Sequence, residues 1–103
     1  MNYSEKNLNI NTTANRFELE VDGVIAFIDF KLTHQTLFLI HTEVPTALGG
    51  KGVGNAIVEK TLNYAKENNY HIVPICKFVQ AYLKKHPEWN DIVAPNSDRF
   101  INK

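Results

Sequence analysis

A single cysteine, four prolines and five glycines are all that 103 residues contain of those three types, and neither sign of charge is in excess. Each shortage excludes something. Cys76, standing alone, rules out an internal disulfide and a multi-cysteine metal site. A lone free thiol suits a reducing, cytoplasmic setting. Eleven basic residues balance eleven acidic ones, so the chain has neither the basic field that nucleic acid requires nor an acidic tail. No segment approaches the roughly 18 apolar residues of a membrane span. Met1-Asn2-Tyr3-Ser4-Glu5-Lys6 is polar and lacks the apolar stretch of a signal peptide. His34, His41, His71 and His86 are scattered without ligand-spaced partners, so no metal site is expected. What remains has the length of one domain, residues 1–103, and its 44% hydrophobic content is enough for a core without staples. There is no internal repeat, low-complexity segment or linker.

The first half of the chain reads as strands. Residues 1–15 are rich in Asn and Thr, with an apolar pair at Leu8 and Ile10 that marks either an edge strand or a loose segment. Residues 16–21 alternate, with Phe17, Leu19 and Val21 on one face and Arg16, Glu18 and Glu20 on the other, which is the pattern of a half-buried strand. Asp22-Gly23 is a two-residue hairpin signal. Residues 24–32 resume the alternation, and Thr33-His34-Gln35 is a turn candidate. Residues 37–44 begin apolar on both faces, as a central strand does. These three strands form an antiparallel meander.

The second half turns helical. Val53, Ile57, Val58, Thr61, Leu62 and Ala65 make an apolar stripe at helical spacing that ends near Asn68-Asn69. Residues 71–75 form a short strand, which Pro74 restricts to an edge or a strand end. A second helix spans residues 77–85, with Phe78, Val79, Tyr82 and Leu83 on its buried face, and His86-Pro87 stops it. Antiparallel strands followed by helix, strand, helix give an α+β or mixed α/β class.

Glycine is scarce overall, yet four of the five glycines fall in Gly49-Gly50-Lys51-Gly52-Val53-Gly54, between a strand and a helix. Glycines there let backbone N–H groups approach an anion, and the helix N-terminus adds unpaired donors and a favourable dipole. The run is not a Walker A loop, because no Lys-Ser or Lys-Thr pair follows its glycines. It is not a dinucleotide fingerprint either, since the strands before it read as antiparallel. A looser phosphate cradle and a plain surface loop are the readings left open.

The loop in its context resembles the acetyl-CoA pyrophosphate loop of the GNAT superfamily of N-acetyltransferases, written R/Q-x-x-G-x-G/A. Gly52 and Gly54 match its glycines, and Gly49 stands at its Arg or Gln. His41-Thr42-Glu43-Val44-Pro45 before the loop narrows the match, as does Cys76-Lys77-Phe78-Val79-Gln80-Ala81-Tyr82 before His86-Pro87-Glu88-Trp89. Together they look like a small, single-domain subfamily marked by a glycine-rich loop and a cysteine. The resemblance covers about residues 16–90. It implies a mostly antiparallel sheet, splayed between the fourth and fifth strands, with two main helices. It also implies acetyl-CoA, or CoA, held with its pantetheine arm in the splay.

Residue roles follow from that resemblance. Backbone groups of His41, Thr42, Glu43 and Val44 pair with the pantetheine amides. Gly49, Gly50, Lys51, Gly52, Val53, Gly54 and Asn55 form the pyrophosphate site, with Lys51 adding charge or standing as a solvated loop lysine. Lys84 and Lys85 either approach the adenosine phosphates or form a wet helix face. Cys76 sits near the acetyl group, at a strand-to-helix junction of the kind that favours a thiolate. It acts as a nucleophile through an acetyl-cysteine, or it only lines the pocket while the acetyl passes directly to the acceptor. Phe78 borders the cofactor or belongs to a lid. His41 and Glu43, two apart on one strand, share a face and are candidate bases for an incoming ammonium. Tyr82 is a candidate proton donor to the departing thiolate, or a core residue. The expected function is acetyl transfer from acetyl-CoA to an amine by a monomer, the acceptor being possibly a macromolecule. A CoA-binding sensor or partner module without turnover is the alternative of another class, and a plain nucleotide-phosphate binder is a third.

Overall fold

The computed structural model describes residues 7–95. The polar stretch Met1 to Lys6 and the weakly patterned tail from residue 96 onward lie outside the described residues. Five strands run in chain order across one sheet: β1 (Asn9–Asn11), β2 (Arg16–Val21), β3 (Val24–Thr33), β4 (Thr36–Glu43) and β5 (His71–Pro74). The first four pair antiparallel, and β4 pairs with β5 in parallel. Helix α1 (Val53–Glu67) makes the crossover between β4 and β5, and α2 (Lys77–Lys85) follows β5. This is the mixed α+β architecture expected from the sequence.

Local chemistry sets the turns. Asp22 and Gly23 both take positive φ, 53° and 77°, as a type I′ hairpin turn requires. β1 is short and is pinned by side chains: Asn9 and Asn11 donate to the two carboxylate oxygens of Glu18 at 3.0 and 3.1 Å. α1 ends where Asn69 adopts the left-handed conformation, φ 60°. Its N–H reaches the Lys66 carbonyl, and the Tyr70 N–H reaches that of Ala65 at 2.8 Å. That pair of bonds is a Schellman closure with asparagine in the place glycine most often takes.

The core lies on one face of the sheet. Phe17, Leu19, Ala26, Ile28, Leu37, Leu39 and Ile72 point to it from the strands, and Val53, Ile57, Val58, Thr61, Leu62 and Ala65 from α1. All six positions of the helical stripe are therefore buried. Val79, Tyr82 and Leu83 of α2 complete the cluster. Phe78 does not join them: it is 42% exposed, because it stands over the start of α1 rather than over the sheet. The opposite face of the sheet carries Arg16, Glu18, Phe27, Asp29, His41 and Glu43, all exposed or half-buried. Residues 87–92 form a 3-10 turn, and Val93 then bridges to Ile72.

Phe17 is fully buried, with its ring 4.4 Å from Phe30 and 5.5 Å from Tyr64. Phe17→Ala is expected to lower unfolding free energy by about 3–5 kcal/mol in urea titration.

Candidate functional site

The site begins where the sheet stops being continuous. β4 pairs with β5 only from Thr36 to Leu39, against His71 to Pro74, yet β4 continues to Glu43. The Leu39 carbonyl makes the last link, accepting from the N–H groups of Ile75 at 3.0 Å and Cys76 at 2.9 Å. Pro74 has no N–H to carry the ladder further, and the chain then turns into α2. On the other side of β4 the register slips. Asp29 faces His41 while Phe30 faces Leu39, so Ile40 is an extra residue. A bulge of this kind bends a strand and increases its twist. The result is an end to sheet pairing between the free end of β4 and the start of α2, where the splay was expected.

The bulge also decides which side chains turn toward the start of α2. Thr42 pairs with Ile28 and shares its core-side face. There the Cys76 thiol donates to Thr42 Oγ1 at 3.3 Å. Cys76 is 8% exposed and is the N-cap residue of α2, with no side-chain cap bond of its own. Gln80 Nε2 holds the turn by donating to the carbonyls of Pro74 at 2.9 Å and Ile75 at 3.1 Å. His41 and Glu43 pair with Asp29 and Phe27, on the opposite face. Their side chains meet there, Nε2 to Oε1, at 3.1 Å. Beside them Arg16 bonds Asp29 at 2.8 Å and lies over the Phe27 ring at 3.8 Å. The sequence reading that His41 and Glu43 share a face therefore holds, and the structure keeps them apart from Cys76.

The glycine run forms the outer end of the same region. Gly50 and Gly52 both sit at φ 75°, and Gly52 is the N-cap of α1 in the left-handed conformation. No side chain caps α1, and no acidic residue occupies its first turn. Its leading N–H groups therefore stay available to an anion. Gly54 serves a different need: a Cβ there would lie 2.5 Å from Phe78 Cζ. Val44, Leu48, Val53, Asn55, Phe78 and the glycines Gly49, Gly50, Gly52 and Gly54 line a groove of about 320 Å³. Lys51 stands outside that lining, with Nζ 3.7 Å from Asp22 on the β2–β3 turn.

Asn55 and Phe78 also border a second hollow, of about 160 Å³, lined by Ala81, Tyr82, Lys85 and His86. The Tyr82 ring stacks on His86 at 4.1 Å. Burial pushes its hydroxyl above the ordinary tyrosine range, the Glu59 carboxylate adds to the rise, and a hydrogen bond with Trp89 partly opposes it. Tyr82 and Cys76 both belong to the buried core but have different partners, Thr42 for Cys76 and the His86 ring for Tyr82. A larger hollow, about 430 Å³, lies between β1 and α1 beside Tyr64, away from every residue singled out in the sequence. Among the described residues no three His, Cys, Asp or Glu side chains gather as metal ligands, and no helix is long and apolar enough to cross a membrane.

Several contributors escaped the sequence reading. Thr42 entered it for its backbone only, yet its hydroxyl meets Cys76. The Cys76-to-Gln80 spacing of one helical turn was the available signal for the Gln80 clamp. Nothing local in the sequence marks the bulge at Ile40.

A sheet opened beside a helix start, with a glycine cradle at its mouth, defines the architecture of an acetyltransferase-type domain. The family model of the GCN5-related N-acetyl-transferases matches residues 16–92, more than half of the chain. The chain belongs to that family. Its fold is similar to the NMR solution structure of a GCN5-like protein from Staphylococcus aureus, with a TM-score of 0.65 and 30% identity, over 85% of this chain and 89% of that one. It is also 30% identical to Protein NATD1 of Xenopus tropicalis over 53 residues, a match spanning 52% of this chain and about half, 49%, of that protein.

Two measurements follow from the geometry. Gly52→Ala meets no neighbouring atom, yet it is expected to cost about 1–2 kcal/mol in chemical unfolding, because an L side chain disfavours the left-handed conformation. Tyr82, whose folded pKa is raised above 10.0, stabilises the fold fully below that pH, and the contribution is lost as pH rises through the folded value. In alkaline unfolding curves Tyr82→Phe should therefore flatten the fall in stability above pH 10.

Proposed function

We propose that this protein binds acetyl-CoA and transfers the acetyl group to an amine, acting as a single-domain monomer. The reading is carried by one observation: the free end of β4 lies beside Cys76 and leads directly to the glycine groove. The backbone of His41, Thr42, Glu43 and Val44 pairs with the two pantetheine amides, as a further strand would. The N–H groups from Gly50 to Asn55 hold the pyrophosphate, with Gly49 and Val53 lining the same cradle. The absence of a side-chain cap and of an acid in the first turn of α1 supports that fit. Phe78 forms the apolar border of the groove, and Lys51, on the same loop, stands outside that lining beside Asp22. A cytoplasmic setting suits the free thiol.

The chemistry centres on Cys76. Its sulfur attacks the thioester carbon, the bond from that carbon to the cofactor sulfur breaks, and CoA leaves as a thiolate that takes up the proton given up by Cys76. Thr42, already within hydrogen-bond distance of Cys76, positions the sulfur. The acceptor amine then attacks the acetyl carbon, the bond from that carbon to the Cys76 sulfur breaks, and the departing thiolate takes up the proton of the amine, while His41 and Glu43 stay paired on the opposite face of the sheet. Tyr82, stacked on His86, stands as a wall of the second hollow.

A CoA-binding module without turnover is the second reading. It draws on Gly49, which leaves the cradle without the side chain that the loop pattern places there, and on the separation of His41 and Glu43 from Cys76. Intact-protein mass spectrometry after incubation with acetyl-CoA separates the two. The proposal expects one added acetyl group on the wild type and none on Cys76→Ala. Turnover that persists in Cys76→Ala would remove the acetyl-cysteine step and leave direct transfer. Calorimetric titration is expected to give saturable binding of acetyl-CoA and CoA, and weaker binding of ATP. No acetylation across broad amine and protein panels, with binding intact, favours the module.

A further inference from the structure

One residue of α2 holds most of the junction at which Cys76 stands. Gln80 takes the carbonyls of three successive residues. Its backbone N–H donates to that of Cys76 at 3.1 Å, and its side-chain amide donates to those of Pro74 at 2.9 Å and Ile75 at 3.1 Å. Two carbonyls call for the nitrogen end of the amide, which carries two donors. On the other flank, the N–H groups of Ile75 and Cys76 both go to the Leu39 carbonyl. The backbone between the end of β5 and the start of α2 is therefore tied by two residues, Leu39 on β4 and Gln80 on α2.

Cys76 is the N-cap of α2, with φ −68° and ψ 129°. A polar N-cap side chain ordinarily turns over the helix and accepts from the N–H of the second or third helical residue, here Phe78 or Val79. Cys76 makes no such bond, and its thiol donates instead to Thr42 Oγ1, 3.3 Å away on β4. Two directions are open to this thiol, and it takes the one toward β4 where both flanks of the junction are tied. Resting on the acetyl-cysteine reading above, we propose that Gln80 is a positioning residue, whose side-chain amide fixes the Cys76 backbone so that the thiol points at Thr42 rather than over α2. It acts through the carbonyls of Pro74 and Ile75, not on the sulfur itself. Without the amide those carbonyls lose their donor, the junction is tied on the β4 side alone, and the thiol is free to turn toward the amides of α2.

Gln80→Met keeps the length of the side chain and removes its donors, while Gln80→Ala removes the side chain and favours the helix. Three measurements on the full chain test the assignment: three-bond couplings for the Cys76 χ1 without ligand, single-turnover acetylation of Cys76 by intact-protein mass spectrometry, and calorimetric titration with CoA. The wild type is expected to hold one χ1 rotamer, and both variants to average over more than one. Acetylation should slow about ten- to a hundredfold, the scale of a small displacement of a reacting group, while CoA affinity stays within about twofold. Gln80→Lys, which returns N–H donors, should recover the single rotamer. A single rotamer kept in both Gln80→Met and Gln80→Ala would overturn the assignment. So would a CoA affinity that falls in step with the acetylation rate. Averaging in the variants, in a chain whose wild type binds CoA yet gains no acetyl group, would uphold the positioning and overturn the acetyl-cysteine step instead.

Discussion

The Leu39 carbonyl is the last point at which β4 and β5 are joined, and the site depends on the separation beyond it. Up to that point the two strands share a parallel ladder. Past it, Pro74 supplies no donor, the chain enters α2, and the bulge at Ile40 re-aims β4. A strand end left without a partner inside a core would strand its polar groups at about 1–3 kcal/mol each. Here residues 40–43 are exposed or half-buried, so water, or the amides of a bound ligand, can satisfy them. The same re-aiming turns Thr42 toward Cys76 and His41 and Glu43 toward the other side. One irregularity in pairing thus produces both a binding edge and a division of the polar groups between two faces of the sheet.

The glycine loop meets a different constraint. Gly50 and Gly52 are required for their backbone conformation, whereas Gly54 is required for space, because Phe78 leans on it. That contact ties α2 to the start of α1. It also explains why an aromatic side chain in the apolar pattern of α2 remains near the surface: it borders two hollows at once. An uncapped helix start beside an exposed aromatic ring combines anion affinity with an apolar flank, which suits a ligand having both characters.

Much of this was legible in the sequence, for physical reasons. Period-two alternation in residues 16–21 and 24–32 and the 3.6-residue stripe of α1 are core patterns, and burial follows them residue by residue. Asp22-Gly23 specifies its turn through the positive φ that both residues take. The split was accessible only through resemblance to a family, because a strand running on past its neighbour leaves no periodic trace. The bulge at Ile40 was not legible, since residues 37–44 contain nothing that distinguishes an extra residue from an alternating one. Phe78 was assigned to the buried face because helical spacing alone cannot see Gly54 on another helix. Of the two roles offered for Tyr82, the core one agrees with its burial, and its ring stacks on His86.

Amide chemical-shift mapping during titration with CoA tests the central claim most directly. The account predicts that the largest changes fall on two stretches, His41 to Val44 and Gly50 to Asn55, together with Cys76. Changes confined to the hollow beside Leu8 and Tyr64, or none at saturating concentration, would contradict it.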